Sequence, residues 1–219
     1  MENGFYEIKQ YLSYEYLLDI KSQLLNNLEK DDTNSDSNHY NLKVLVFESN
    51  DEKSKGKIKG IDNYEQFSLK VYNNDYSQVI LEKKTKRNNK YFVEEAYITE
   101  KECKKIMNND IEFIKEIGSY LLFELYIKMN YQNLVLKKVV SLQRDSFKHK
   151  DTKIYLDYDI RTSSNINDFF LDNFKGISLP HYCILKVKYP DYFPEELNEI
   201  ITLSKRKDNQ SFHNYSFSF

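Results

Sequence analysis

The 219-residue sequence predicts an α+β fold, a closed antiparallel β-barrel with flanking α-helices, and three observations carry that expectation. Short segments of two-residue alternation recur between turn signals. Several of them carry charge on one face and apolar side chains on the other. Amphipathic helical segments interrupt the strands and need an apolar surface to cover. A barrel wall that is apolar outside would supply it and turn the charged faces inward.

The elements follow in order. Residues 5–12, FYEIKQYL, read as a strand with Glu7 and Lys9 on one face and Tyr6 and Ile8 on the other. Ser13 caps a helix over 14–29 with an apolar stripe of Leu17, Leu18, Leu24, Leu25 and Leu28. The stretch EKDDTNSDSN at 29–38 is an exposed loop, not a linker, because patterning resumes on both sides. Segments 40–48, 64–73, 77–86 and 91–98 form a meander, with YNNDYSQ at 72–78 as a hairpin turn. In 64–72, Gln66, Ser68 and Lys70 share one face and Phe67, Leu69 and Val71 the other. Thr99 and Glu102 make a capping box, and one helix is expected over about 110–130 with Ile114, Ile117, Leu121, Leu125 and Met129 buried. Strands return near 135–145, 152–158 and 182–189, and Pro194 opens a last helix in PEELNEIITL. Lys153 and Asp157 oppose Ile154 and Leu156; Lys186 and Lys188 oppose Leu185 and Val187. The whole of 1–219 reads as a single domain, with a tail from about 205 that is only partly ordered.

Net charge is −2 with 30% charged residues, so nothing in the total calls for nucleic acid as a partner, and any electrostatic function must come from local placement. The basic run KKTKRNNK at 83–90 reads as a solvated turn. Cys103 and Cys183 lie far apart in no metal spacing, which fits a reducing, cytoplasmic setting. The opening MENGFYEIKQ is polar, and no apolar run is long enough for direct membrane insertion. His39, His149, His181 and His213 lie in no metal-ligand spacing, and five glycines form no phosphate loop. Alternation by itself also fits an ordinary sheet with one wet face and no ligand.

The order and wording of the segments resemble the VTC domain of polyphosphate polymerases, a branch of the triphosphate tunnel metalloenzymes. The likeness lies in YEIKQYLS at 6–13, YNNDYSQVILEKKTKRNN at 72–89, VVSLQRDSF at 139–147, IYLDYDIRT at 154–162 and ILKVKYPDYFPEEL at 184–197. The resemblance implies a basic triphosphate tunnel that binds polyphosphate, triphosphate or nucleotide phosphates through Lys9, Lys43, Lys70, Lys84, Arg144, Lys153 and Lys188. It also implies a divalent cation, Mn²⁺ or Mg²⁺, if the domain is catalytic, with Glu7 and Glu82 as candidate ligands. The family's last strand reads E-V-K with its Glu as metal ligand, where this chain has Lys186, Val187 and Lys188. Glu94 stands where a lysine is usual. Tyr64, Gln66, Ser68 and Lys70 replace the basic R-x-K-F-R-x-R, and His213, Asn214 and Tyr215 replace S-K-Y.

These departures suggest a degenerate metal site in which Glu94 and Lys186 form a structural ion pair across the lumen; drift after loss of activity is the alternative. The candidate functions are then a non-catalytic phosphate binder, an active metal-dependent polymerase or triphosphatase, or an accessory protein that meets a protein partner without any ligand.

Overall fold

In the computed structural model, described for residues 4–30, 38–50, 64–179 and 182–200, one sheet organises the chain. Its strands are β1 (Tyr6–Leu12), β2 (Glu29–Lys30), β3 (His39–Ser49), β4 (Tyr64–Tyr72), β5 (Val79–Arg87), β6 (Lys90–Ile98), β7 (Leu134–His149), β8 (Thr152–Ser163), β9 (Ile177–Ser178) and β10 (Cys183–Tyr189). The helices are α1 (Tyr14–Asn27), α2 (Glu100–Met107), α3 (Ile114–Ile117) and α4 (Tyr120–Tyr131). The principal strands run in the order β1-β10-β8-β7-β3-β4-β5-β6, all antiparallel, with β2 and β9 as short additions.

The sheet curls until its two end strands approach, but the ladder does not close. Among the described residues the two ends meet in one bridge, between Phe5, just before β1, and Tyr91 of β6, where the Phe5 N–H donates to the Tyr91 carbonyl at 2.9 Å and the Tyr91 N–H to the Phe5 carbonyl at 2.7 Å. The continuous barrel expected from the sequence is therefore a curled sheet stapled at one point. Gly4, beside the staple, leaves no room for a Cβ, which would sit 2.7 Å from the Phe92 ring.

The two faces differ as alternation requires. On the outer face, Leu17, Ile20 and Leu24 of α1 pack on Phe147, Ile154, Leu156, Leu185 and Val187. Ser13 caps that helix by accepting from the Tyr16 N–H. The buried stripe runs 17, 20, 24, which is the spacing of one helix face. Leu18 and Leu25 of the expected stripe are about half exposed instead, at 50% and 49%. A second outer core joins α2 and α4 to Phe67, Leu69, Val71, Val79 and Leu81. The Thr99–Glu102 capping box forms in both directions.

The single helix expected over 110–130 is two. Gly118 takes φ 74, a left-handed conformation that ends α3, and Ser119 then caps α4 by accepting from the Leu122 N–H. After Pro194 a 3₁₀ turn, Glu195–Leu197, precedes helical residues 198–200. Of the loop expected at 29–38, Glu29–Lys30 form β2 and residues 31–37 lie outside the described residues, as do the tail from 205, His181 and His213–Tyr215.

Candidate functional site

Register decides which side chains meet inside the curl. Across β1 and β10, Glu7 faces Lys188 and Lys9 faces Lys186. Across β10 and β8, Lys186 faces Tyr155 and Lys188 faces Lys153; across β8 and β7, Asp157 faces Arg144. Across β4 and β5, Ser68 faces Glu82 and Gln66 faces Lys84. Antiparallel partners directly opposite each other point to one side of the sheet, so these groups share the inner face.

A cavity of about 460 Å³ opens on that face. Lys70, Arg144, Lys153 and Lys188 reach its wall, together with Glu82 and Glu95. Lys9, Lys84 and Glu7 are on the same face but not on the cavity wall. Aromatic rings, among them Tyr40, Tyr72, Tyr155 and Phe5, complete the lining.

Most of the charges are already held. Lys84 Nζ donates to both Glu7 oxygens at 2.8 and 3.0 Å, tying β5 to β1 across the unpaired seam. Lys70 pairs with Glu82. Arg144 donates from Nε to Asp157 Oδ1 at 2.5 Å and from Nη2 to Oδ2 at 2.8 Å, and Lys186 Nζ reaches Asp157 Oδ2 at 3.0 Å. Asp157 has no exposed surface, and its two cations hold its carboxyl well below the usual carboxylate range against the burial that would raise it.

Lys188 differs. Its Nζ sits 4.8 Å from the Phe5 ring centre and 5.4 Å from that of Tyr155, and among the described residues it forms no ion pair. Burial pulls it down to about 8, with Lys84 and Lys70 adding to the fall and Glu7 and Glu82 opposing it. Burial likewise draws Lys9 down to about 8 and Lys186 to about 7. In the register Lys9 stands opposite Lys186, and Lys188 stands between Glu7 and Lys153, so cations meet cations on this face.

Two sequence expectations are corrected. Lys43 lies on the outer face, because its β3 neighbours Leu42 and Val44 occupy the inner one. Its Nζ donates to the Tyr76 hydroxyl at 2.6 Å and to the carbonyls of Phe169 at 3.2 Å and Leu171 at 2.6 Å, which pins the 3₁₀ helix Ile166–Phe170 to the sheet. Nor do Glu94 and Lys186 form an ion pair. In the β5–β6 hairpin Glu82 pairs with Glu95 and Lys83 with Glu94, so Glu94 belongs to the outer face, 3.5 Å from Lys83. Lys186, on the inner face, takes Asp157.

That register was legible: Asn88 and Asn89, at φ 51 and 64, make the two-residue turn that Arg87-Asn-Asn-Lys90 announces, and counting back from it pairs Lys83 with Glu94. Sequence reasoning missed Glu95 and Asp157 as site residues, although parity with Glu82 and Lys153 pointed to both.

Glu7 and Glu82 do not fit a divalent cation. Glu7 is held across the seam by the Lys84 ammonium and Glu82 by that of Lys70 on the neighbouring β4, and a lysine stands at position 186. Among the described residues no group of three or more His, Cys, Asp or Glu converges as a metal site would require.

The family model of the VTC domain matches residues 4–218 of the chain. No curated protein matches it. Among solved structures, a putative adenylate cyclase from Bacillus halodurans is similar at TM-score 0.56 and 13% identity, covering 93% of this chain and 91% of that one. A putative adenylyl cyclase from Hippeastrum, described as having a dominant triphosphatase activity, is similar at TM-score 0.53 and 12% identity, covering 91% and 84%. At such identities the likeness is one of fold.

Proposed function

Because this chain belongs to the VTC domain family, we propose that its inner cavity binds the phosphates of polyphosphate, triphosphate or a nucleotide, without a metal and without turnover. Lys188 carries this reading. It is an ammonium on the cavity wall, set between two aromatic rings and, in the register, between Glu7 and Lys153, and it forms no ion pair among the described residues. Burying such a charge is costly unless an anion neutralises it, and a phosphate oxygen supplies the missing charge. Lys70, Arg144 and Lys153 reach the same space. Lys9 and Lys84 add positive potential from deeper in the curl.

The absence of turnover rests on the donor set. Phosphoryl transfer in this class of site would require a cation to neutralise developing charge at the reacting group. Here three of the carboxylates that could hold one, Glu7, Glu82 and Asp157, are committed to Lys84, Lys70, Arg144 and Lys186. The two buried free thiols, Cys103 and Cys183, support a reducing cytoplasm. No helix among the described residues is long and apolar enough to cross a membrane.

Isothermal titration with tripolyphosphate and ATP, with and without Mn²⁺, combined with a phosphate-release assay, tests the reading. Binding of equal strength in both conditions and no released phosphate are expected. Metal-dependent release would replace this function with that of an active triphosphatase or polymerase.

A further inference from the structure

The inner face is charged along only part of its length. Leu42, Val44 and Val46 of β3 point inward beside Val140 and Leu142 of β7, with Ile184 of β10 closing on them. Register places them on the same face as the cations: Val44 pairs with Lys70, Leu142 precedes Arg144 by two residues, and Ile184 precedes Lys186 by two. None of these apolar side chains is more than 1% exposed. Ile160 joins them because β8 carries a bulge: Asp159 takes φ 46 and the β7–β8 register shifts between Ser141 and Gln143, which turns the next residue inward.

A water-filled passage would leave its wall accessible along its whole length. Here the side of the lower lumen formed by β3, β7, β8 and β10 is dry and filled, while Lys9, Gln66 and Lys86 on the side of β1, β4 and β5 are half-buried. Between the apolar plug and the cavity lie Asp157 and Lys186, at 0% and 3% exposure, held to each other and to Arg144. Toward the seam the space is crossed by the Glu7–Lys84 pair. A phosphate pushed past this layer would lose water, and on the plugged side it would meet Val, Leu and Ile side chains that offer it no donor.

We propose that the cavity is a blind cup: it grips the free terminal phosphates of a chain or nucleotide end-on, and a polyphosphate is not threaded through the molecule. This rests on the phosphate-binding reading above and adds the form of ligand to it. The volume of about 460 Å³ falls in the range of small-ligand pockets. Phosphates beyond the first few would stand outside the mouth, in water, where ionic contacts contribute little.

Titration calorimetry with ortho-, pyro- and tripolyphosphate and with long polyphosphates of defined length, concentrations counted per chain, tests the cup. So does a long polyphosphate blocked at both ends by bulky esters. Affinity is expected to climb over the shortest members and then stay level, with the blocked chain about tenfold weaker or worse. All of this binding should vanish in Lys188→Met, whose fold is checked by thermal melting. Affinity that keeps rising with length, a blocked chain that binds like an open one, or long-chain binding that survives Lys188→Met would each overturn the cup while leaving phosphate binding intact. If no phosphate binds at all, the proposed function falls as well.

Discussion

At the scale of single residues, the interior is a set of charges that neutralise one another, with Asp157 as the most heavily used. It compensates Arg144 and Lys186 together, and it has no access to water. Removing one partner of such a buried group strands the others, and the usual loss is about 3–5 kcal/mol. Asp157→Asn is therefore expected to lower the urea-unfolding free energy at pH 7 by about that amount. A loss under about 1 kcal/mol would mean that Arg144 and Lys186 find other compensation. Sequence parity had placed Lys153 and Asp157 on one face but gave no partner for the acid, since Arg144 and Lys186 are distant in sequence and meet it only through strand order. Lys43 shows the converse. Its residue type suggested phosphate, while its position between Leu42 and Val44 assigned it outward, where three oxygens of Tyr76, Phe169 and Leu171 receive it.

At the scale of elements, turns controlled the outcome. The strands of the meander and the capped helix α2 lie within a few residues of their sequence expectations, because alternation, capping boxes and Asn-rich turns are local signals. The β5–β6 turn at Asn88-Asn89 holds the register that sends Glu95 inward and Glu94 outward. Both central residues take positive φ, which asparagine tolerates and glycine prefers. Asn89→Gly should raise stability by up to about 1 kcal/mol without moving the register, seen as a higher melting temperature and unchanged cross-strand amide contacts by NMR. A drop in stability would show that the Asn89 side chain contributes more than its backbone strain costs. Gly118 was the signal passed over in the helical stretch after 110. Its left-handed backbone divides what apolar spacing alone presented as one helix.

At the scale of the whole molecule, burial disfavours the charged form of three interior lysines, Lys9, Lys186 and Lys188, and pH exposes this. Lys9 and Lys188 titrate at about 8 and Lys186 at about 7 in the folded chain, against 10.5 when unperturbed. Between those values and about 10 the unfolded chain holds more protons at these positions than the folded one, so stability rises with pH across that window. Below about pH 7 both states are protonated and the cost of the buried charges is paid in full. The melting temperature of the free protein should therefore climb from pH 7 to about 9.5. A phosphate ligand restores the protons, so tripolyphosphate binding at pH 8 should take up protons, measured as a binding enthalpy that changes with the ionisation enthalpy of the buffer. Binding with no buffer dependence would show that these lysines are not the ones that meet the anion.

The sequence by itself determined the α+β class, the sequence of strands and helices, and the parity that gathers Lys9, Lys70, Lys84, Arg144, Lys153 and Lys188 on one face, because each depends on residues a few positions apart. The tertiary structure alone decided the rest. Whether the end strands pair, which acid meets which base, and how far the lumen stays open depend on strand order, on the bulge at Asp159 and on the depth of the apolar plug. Those are contacts between positions far apart in the chain, and local pattern carries no record of them.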